Sequence, residues 1–110
     1  MSARKNSAWQ TLERHVKQLQ KTNIRELFRE DPQRFEKFSI AAAGLLLDFS
    51  KNQMTEQTLS LLIKLANERY LDDSINKMFS GHRINITENR PVLHTALRNR
   101  SGKPVFVDGR

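Results

Sequence analysis

The stretch FSIAAAGLLLDFSKN, residues 38–52, is where the fold class is decided. An apolar run of this length is either a buried helix or two strands. Gly44 sits at its centre, Phe38-Ser39-Ile40 and Leu46-Leu47-Asp48-Phe49 favour extended backbone, and Ser50-Lys51-Asn52 supplies turn chemistry. The alanines at 41, 42 and 43 pull toward a helix. On balance the pattern prefers a β-hairpin, with the helix as its alternative.

Outward from this run the periodicity is helical. Upstream, Trp9, Leu12, Val16 and Leu19 are spaced by three, four and three residues, and Ser7 with Gln10 fits a capping box, which predicts a helix from about Ala8 to Gln20. Thr22-Asn23 can cap a short helix over Ile24 to Arg29. Asp31 then reads as an N-cap, with Pro32 at the first position of a third helix. Downstream, Thr55 caps a helix reaching about Arg69, with Leu59, Leu62, Ile63 and Ala66 as its inward stripe. Asp72 or Asp73 opens another helix, with Ile75, Met78 and Phe79 on its apolar side and Ser80-Gly81 as its stop. After a polar loop, Pro91 opens a helix in which Val92, Leu93, Ala96 and Leu97 face inward, Ser101-Gly102 close it, and Val105-Phe106-Val107 reads as a strand. The expectation is one helix-rich α+β unit without internal repeats.

Composition narrows the function classes. With 37% hydrophobic and 28% charged residues, four Gly and three Pro, the 110-residue chain reads as globular, not disordered. Its longest apolar run, Ile40 to Leu47, is far short of the roughly 20 residues that a bilayer-spanning helix needs. The basic Met1-Ser2-Ala3-Arg4-Lys5 lacks the apolar core of a secretory signal that would have to follow it. Without cysteine there is no disulfide framework, thiolate metal site or cysteine nucleophile, in keeping with a reducing cytoplasm. A net charge of +7 raises nucleic acid or an acidic surface as a partner. However, the basic residues are dispersed, concentrating only at Arg98, Arg100 and Lys103, and no aromatic interleaving accompanies them. A solvated face accounts for them, and nucleic-acid binding is not expected.

Chemistry is sparse. The four glycines, at 44, 81, 102 and 109, are too dispersed for a phosphate-cradling loop. His15, His82 and His94 have no metal-ligand spacing, so neither a metal nor a cofactor is expected. His94 and Arg98, four apart on the last predicted helix, would share a polar face turned toward a neighbour or, less simply, toward an anion. Thr87 and Glu88 read as caps, and the adjacent Asp72 and Asp73 serve a helix N-terminus better than acid/base catalysis.

Three collinear blocks carry more information than any of these motifs. FSKNQMTEQTL at 49–59, MFSGHRINITENRPVLHTALRNRS at 78–101 and PVFVDGR at 104–110 together resemble the N-terminal region of the phosphoglucose (glucose-6-phosphate) isomerase family, and AWQTLERH, LFREDPQRF and KFS extend the likeness upstream. INITENRPVLHTALRNRS is the most specific part. Pro91 stands where that family commonly has a small residue, Phe49 where it has tyrosine, and His82-Arg83 replace a more acidic-basic pair.

The resemblance implies an N-terminal scaffold segment, residues 1–110, of a dimeric cytoplasmic α/β sugar-isomerase (SIS-type) enzyme. That enzyme interconverts glucose 6-phosphate and fructose 6-phosphate without a cofactor, in glycolysis and gluconeogenesis, through a cis-enediol. The family's glutamate base, its ring-opening His and Lys and its phosphate loops all lie downstream, so no catalytic, cofactor-binding or metal residue is carried onto this sequence. The strand and turn at 105–110 then read as a point where the chain was cut. The alternative is an independent small basic helical module that binds a nucleic acid or a protein.

Overall fold

A computed structural model describes residues 7–110, and among these the order of elements is α1 (Ser7–Leu19), α2 (Ile24–Glu30), α3 (Arg34–Lys37), β1 (Ser39–Ala42), β2 (Leu45–Asp48), α4 (Glu56–Glu68) and α5 (Leu71–Phe79), then a 3-10 turn at Ala96–Arg98. The chain divides into two compact units, the first ending at Leu65 and the second beginning at Ala66, where composition alone had suggested one. The helix-rich α+β reading holds.

The deciding stretch is a hairpin. β1 and β2 pair antiparallel with Ile40 opposite Leu47, Ala41 opposite Leu46 and Ala42 opposite Leu45. Ala43 (φ 51°) and Gly44 (φ 76°) form the two-residue connection. Positive φ at both central residues matches the right-handed twist of paired strands, and Gly44 takes it without Cβ strain. Below the strands, the Phe49 amide donates to the Phe38 carbonyl (2.9 Å) and the two rings meet edge to face at 5.8 Å. Asp48 accepts from both the amide (2.9 Å) and the hydroxyl (2.7 Å) of Ser50. This closes the turn that leads out of β2.

These bonds, the Ser50 hydroxyl first, hold the Asp48 carboxyl below its usual range. A depressed folded value means stability that is complete above the unfolded value and is lost as pH falls through the folded one. Urea midpoints of the wild-type chain should therefore decline as pH drops below about 4. In Asp48→Asn, whose amide oxygen still accepts from Ser50 but does not titrate, the decline should be shallower. An equal slope in both proteins would remove Asp48 from the account.

α2 has the expected cap. Asn23 accepts from the Glu26 amide (3.0 Å) and Glu26 accepts from the Asn23 amide (3.1 Å), a reciprocal capping box. Thr55 likewise precedes α4: its amide donates to the Thr58 hydroxyl (2.9 Å). Ser7, expected as the cap of α1, is already helical, and the cap position falls outside the described residues.

Several expectations are corrected. Asp31 and Pro32 form a turn and do not open α3, because the Asp31 carboxylate takes the Gln33 amide (3.1 Å) and helical backbone begins only at Arg34. On α4 Thr58 is buried and Leu59, Leu61, Leu65, Ala66 and Glu68 are half-buried, so Leu59 and Ala66 of the expected stripe hold, whereas Leu62 and Ile63 are exposed. The inward face is therefore shifted in part from the expected stripe, toward Thr58 and Leu61, and a hydrogen bond draws the Thr58 hydroxyl inside. α5 starts after Tyr70 (φ 52°), and Asp72 and Asp73 lie within its first turn, favourable to the helix dipole. The helix expected from Pro91 shrinks to the 3-10 turn, and 105–107 is not a strand: Val107 and Arg110 bond each other instead (2.9 and 3.0 Å).

Candidate functional site

The most developed polar cluster surrounds Arg34, which is 2% exposed. Two features of α3 place it there. The helix is one turn long, and its C-cap amide, at Phe38, closes back onto the Arg34 carbonyl (2.8 Å). From this fixed start the guanidinium donates four hydrogen bonds to backbone carbonyls: Nε and Nη2 to Ser50 (3.2 and 2.9 Å), Nη1 to Met54 (2.9 Å) and Nη2 to Asn52 (3.1 Å). Its carbon lies 4.7 Å from the Phe38 ring centroid and 5.4 Å from that of Phe28. A cation out of water needs hydrogen bonds and polarisable neighbours to offset desolvation, and Arg34 has both. It belongs to no ion pair among the described residues.

What Arg34 does is hold the 50–54 loop. The same loop sends the Gln53 side chain to the carbonyls of Leu19 (2.8 Å) and Thr22, at the C-terminal end of α1. Beside it, Lys37 bridges Asp31 (2.8 Å) and Glu56 (3.4 Å). The Lys37 ammonium pulls the Asp31 carboxyl below its usual range, and Asp31 raises Lys37 in return.

His15, one of the three histidines, is buried on α1 and its Nε2 lies 2.7 Å from the Thr58 hydroxyl on α4. Its Nδ1 has no partner among the described residues. His82 and His94 are exposed, and the described residues hold no group of His and carboxylates that could ligate a metal. Sequence reasoning placed His15 on no functional list and overlooked Arg34 altogether. The available signal for Arg34 was its spacing of four from Phe38, which puts a guanidinium above an aromatic ring.

In the second unit, INITEN is a closed turn. Asn85 and Arg90 exchange two backbone bonds (3.1 Å each), and the Asn85 side chain exchanges bonds with the amide and carboxylate of Glu88 (3.2 Å each). Glu88 thus completes a turn and caps no helix. Arg83 pairs with Asp108 and donates to the Asn89 carbonyl (2.6 Å); Asp108 raises the Arg83 guanidinium, which in turn holds the carboxyl of Asp108 low. Asp73 pairs with Lys77 (2.6 Å), which is a helix-surface role. His94 and Arg98 do not share a helical face, because only Ala96–Arg98 is wound, and both are exposed.

Comparison with known proteins adds a family to this geometry. A family profile described as phosphoglucose isomerase matches residues 48–110. The chain is 50% identical over 103 residues to a glucose-6-phosphate isomerase of Methylococcus capsulatus, covering 94% of the chain and 19% of that protein. It is 49% identical over 109 residues to the glucose-6-phosphate isomerase of Pseudomonas aeruginosa, covering 99% and 20%. Against that of Pseudomonas putida it is 52% identical over 102 residues, covering 93% and 18%. The chain spans about a fifth of the length of these relatives. With the profile over more than half its length and this identity over nearly all of it, the chain belongs to the phosphoglucose isomerase family, matching that family's N-terminal segment.

Proposed function

We propose that this chain is the N-terminal scaffold of an isomerase that interconverts glucose 6-phosphate and fructose 6-phosphate, acting in the cytoplasm as a homodimer. The observation that carries the reading is identity near one half, across almost the whole chain, to three proteins that bear that enzyme's name. The polar clusters fit a scaffold: Arg34, Gln53 and Lys37 tie helices and loop together, and none is arranged around a reacting group. Proton transfer between C1 and C2 of the sugar needs a base within hydrogen-bond reach of that carbon. On this reading the base and the phosphate-binding loops lie in SIS-type α/β subdomains beyond residue 110.

The purified 110-residue chain should show no turnover of fructose 6-phosphate in an assay coupled to glucose 6-phosphate oxidation. A protein in which this segment continues into the family's remaining subdomains should turn it over. Robust turnover by the short chain would place the chemistry in these residues and overturn the scaffold reading.

A further inference from the structure

In the second unit, Asp108 (φ 52°) and Gly109 (φ 77°) form a two-residue reversal, closed in both directions by Val107 and Arg110 (2.9 and 3.0 Å). Both central residues are exposed, and among the described residues the Gly109 amide donates no hydrogen bond. With no Cβ on Gly109, no side chain crowds its nitrogen. Arg83 reaches this turn from 25 residues back. Its Nη2 and Nε donate to the two oxygens of the Asp108 carboxylate (Nε at 3.4 Å), and its Nη1 donates to the Asn89 carbonyl (2.6 Å). The other aspartates lack this setting: Asp31 precedes Pro32, which has no N–H, Asp48 precedes the bulky Phe49, and Asp72 and Asp73 lie within α5.

We infer that Asp108 is a site of isoaspartyl modification and that the Arg83 fork holds it closed. The step is a cyclisation. The Gly109 nitrogen bonds to Cγ of Asp108, and its proton leaves with the carboxyl hydroxyl as water, giving a five-membered succinimide. Water then opens the ring. Attack at Cγ restores aspartate, whereas attack at the main-chain carbonyl leaves the peptide bond on Cγ and a free α-carboxylate, and no other reactant is consumed. The ring closes from a neutral carboxyl, which loses water, and not from a carboxylate, which would have to expel oxide. It also needs Cγ turned toward the Gly109 nitrogen. Arg83 opposes both requirements: its hydrogen bonds hold the carboxyl below its usual range and engage both oxygens with the guanidinium.

The test is incubation of the 110-residue chain at neutral pH in water enriched in heavy oxygen, after which the C-terminal peptide is separated into aspartyl and isoaspartyl forms and weighed. Arg83→Gln should form isoaspartate at Asp108 about tenfold faster than wild type, because the neutral fraction of the carboxyl rises when its cationic partner is lost. The product should carry heavy oxygen from the ring opening, and Asp48 and Asp73 should stay unchanged. Arg83→Lys, which keeps the charge without the fork, should fall between the two. In wild type, concentrated sodium chloride should screen the exposed pair and speed the reaction severalfold, while the rate in Arg83→Gln stays the same. The salt arm needs no substitution, so it decides the matter even if Arg83→Gln unfolds. Equal rates in wild type and Arg83→Gln, or a wild-type rate indifferent to salt, would overturn the role of the fork. Isoaspartate free of heavy oxygen, or none at Asp108 in either protein, would overturn the site.

Discussion

Replacing Arg34 with methionine is expected to cost the first unit about 3–5 kcal/mol of stability, read as a fall in the urea midpoint at unchanged slope. The side-chain volume is nearly kept, so little of this is a cavity. Most of it comes from the carbonyls of Ser50 and Met54, each left in a buried setting without its donor. The Asn52 carbonyl, on an exposed residue, can turn to water. Arg34→Lys keeps the charge but replaces a planar fork by one ammonium, which cannot reach three carbonyls spread over residues 50–54 in the same plane. It should recover less than half of the loss. A methionine variant within about 1 kcal/mol of wild type would show that the loop holds itself.

The second large effect is expected at Gly81. Its φ is +74°, and a Cβ built there would lie 2.3 Å from the Phe106 carbonyl oxygen, a contact with backbone that no rotamer relieves. Gly81→Ala should destabilise the second unit by about 2–4 kcal/mol, as left-handed strain and overpacking add. Gly44→Ala is the control: φ is +76° but nothing lies within 4 Å, so only the strain is felt, about 1 kcal/mol. The two variants separate in amide exchange of His82, whose N–H bonds the Lys77 carbonyl (3.0 Å). Protection there should fall in Gly81→Ala and stay unchanged in Gly44→Ala. Loss of equal size in both variants would remove the Phe106 contact from the explanation.

What the sequence made legible was local. The cap at Asn23, the Thr55 start and the chain reversal at Gly44 depend on residues within four positions of one another, and each is found as read. Ser80-Gly81 as the stop of α5 also holds, because Gly81 supplies the positive φ that the end of the helix needs. Misreadings arose where a partner far along the chain decides. The stripe of α4 was assigned as Leu59, Leu62, Ile63 and Ala66, of which Leu62 and Ile63 are exposed, and His15, 43 residues away, draws Thr58 inside. The segment after Pro91 has helical spacing, yet a short helix repays its nucleation cost only by burying its stripe, and Leu97 is 89% exposed. Val105 to Val107 has strand composition without a strand to pair with. Arg34 was missed for a different reason: a charge amid Gln33, Phe35 and Glu36 looks like surface, and the carbonyls that take its hydrogen bonds lie 16 to 20 residues on. The site reading, an empty catalytic list, came from resemblance and not from residue chemistry.

Because Arg34 grips main-chain oxygens, the grip makes no demand on which amino acid supplies them. Any residue at 52 offers the same carbonyl, so a saturation library should tolerate wide exchange at Asn52, which is exposed, and much less at Ser50, which is buried and whose hydroxyl bonds Asp48. Position 34 should accept almost nothing. A single side chain thus stabilises a loop through atoms common to every residue, so the loop can change its surface at the exposed position 52 without losing its shape.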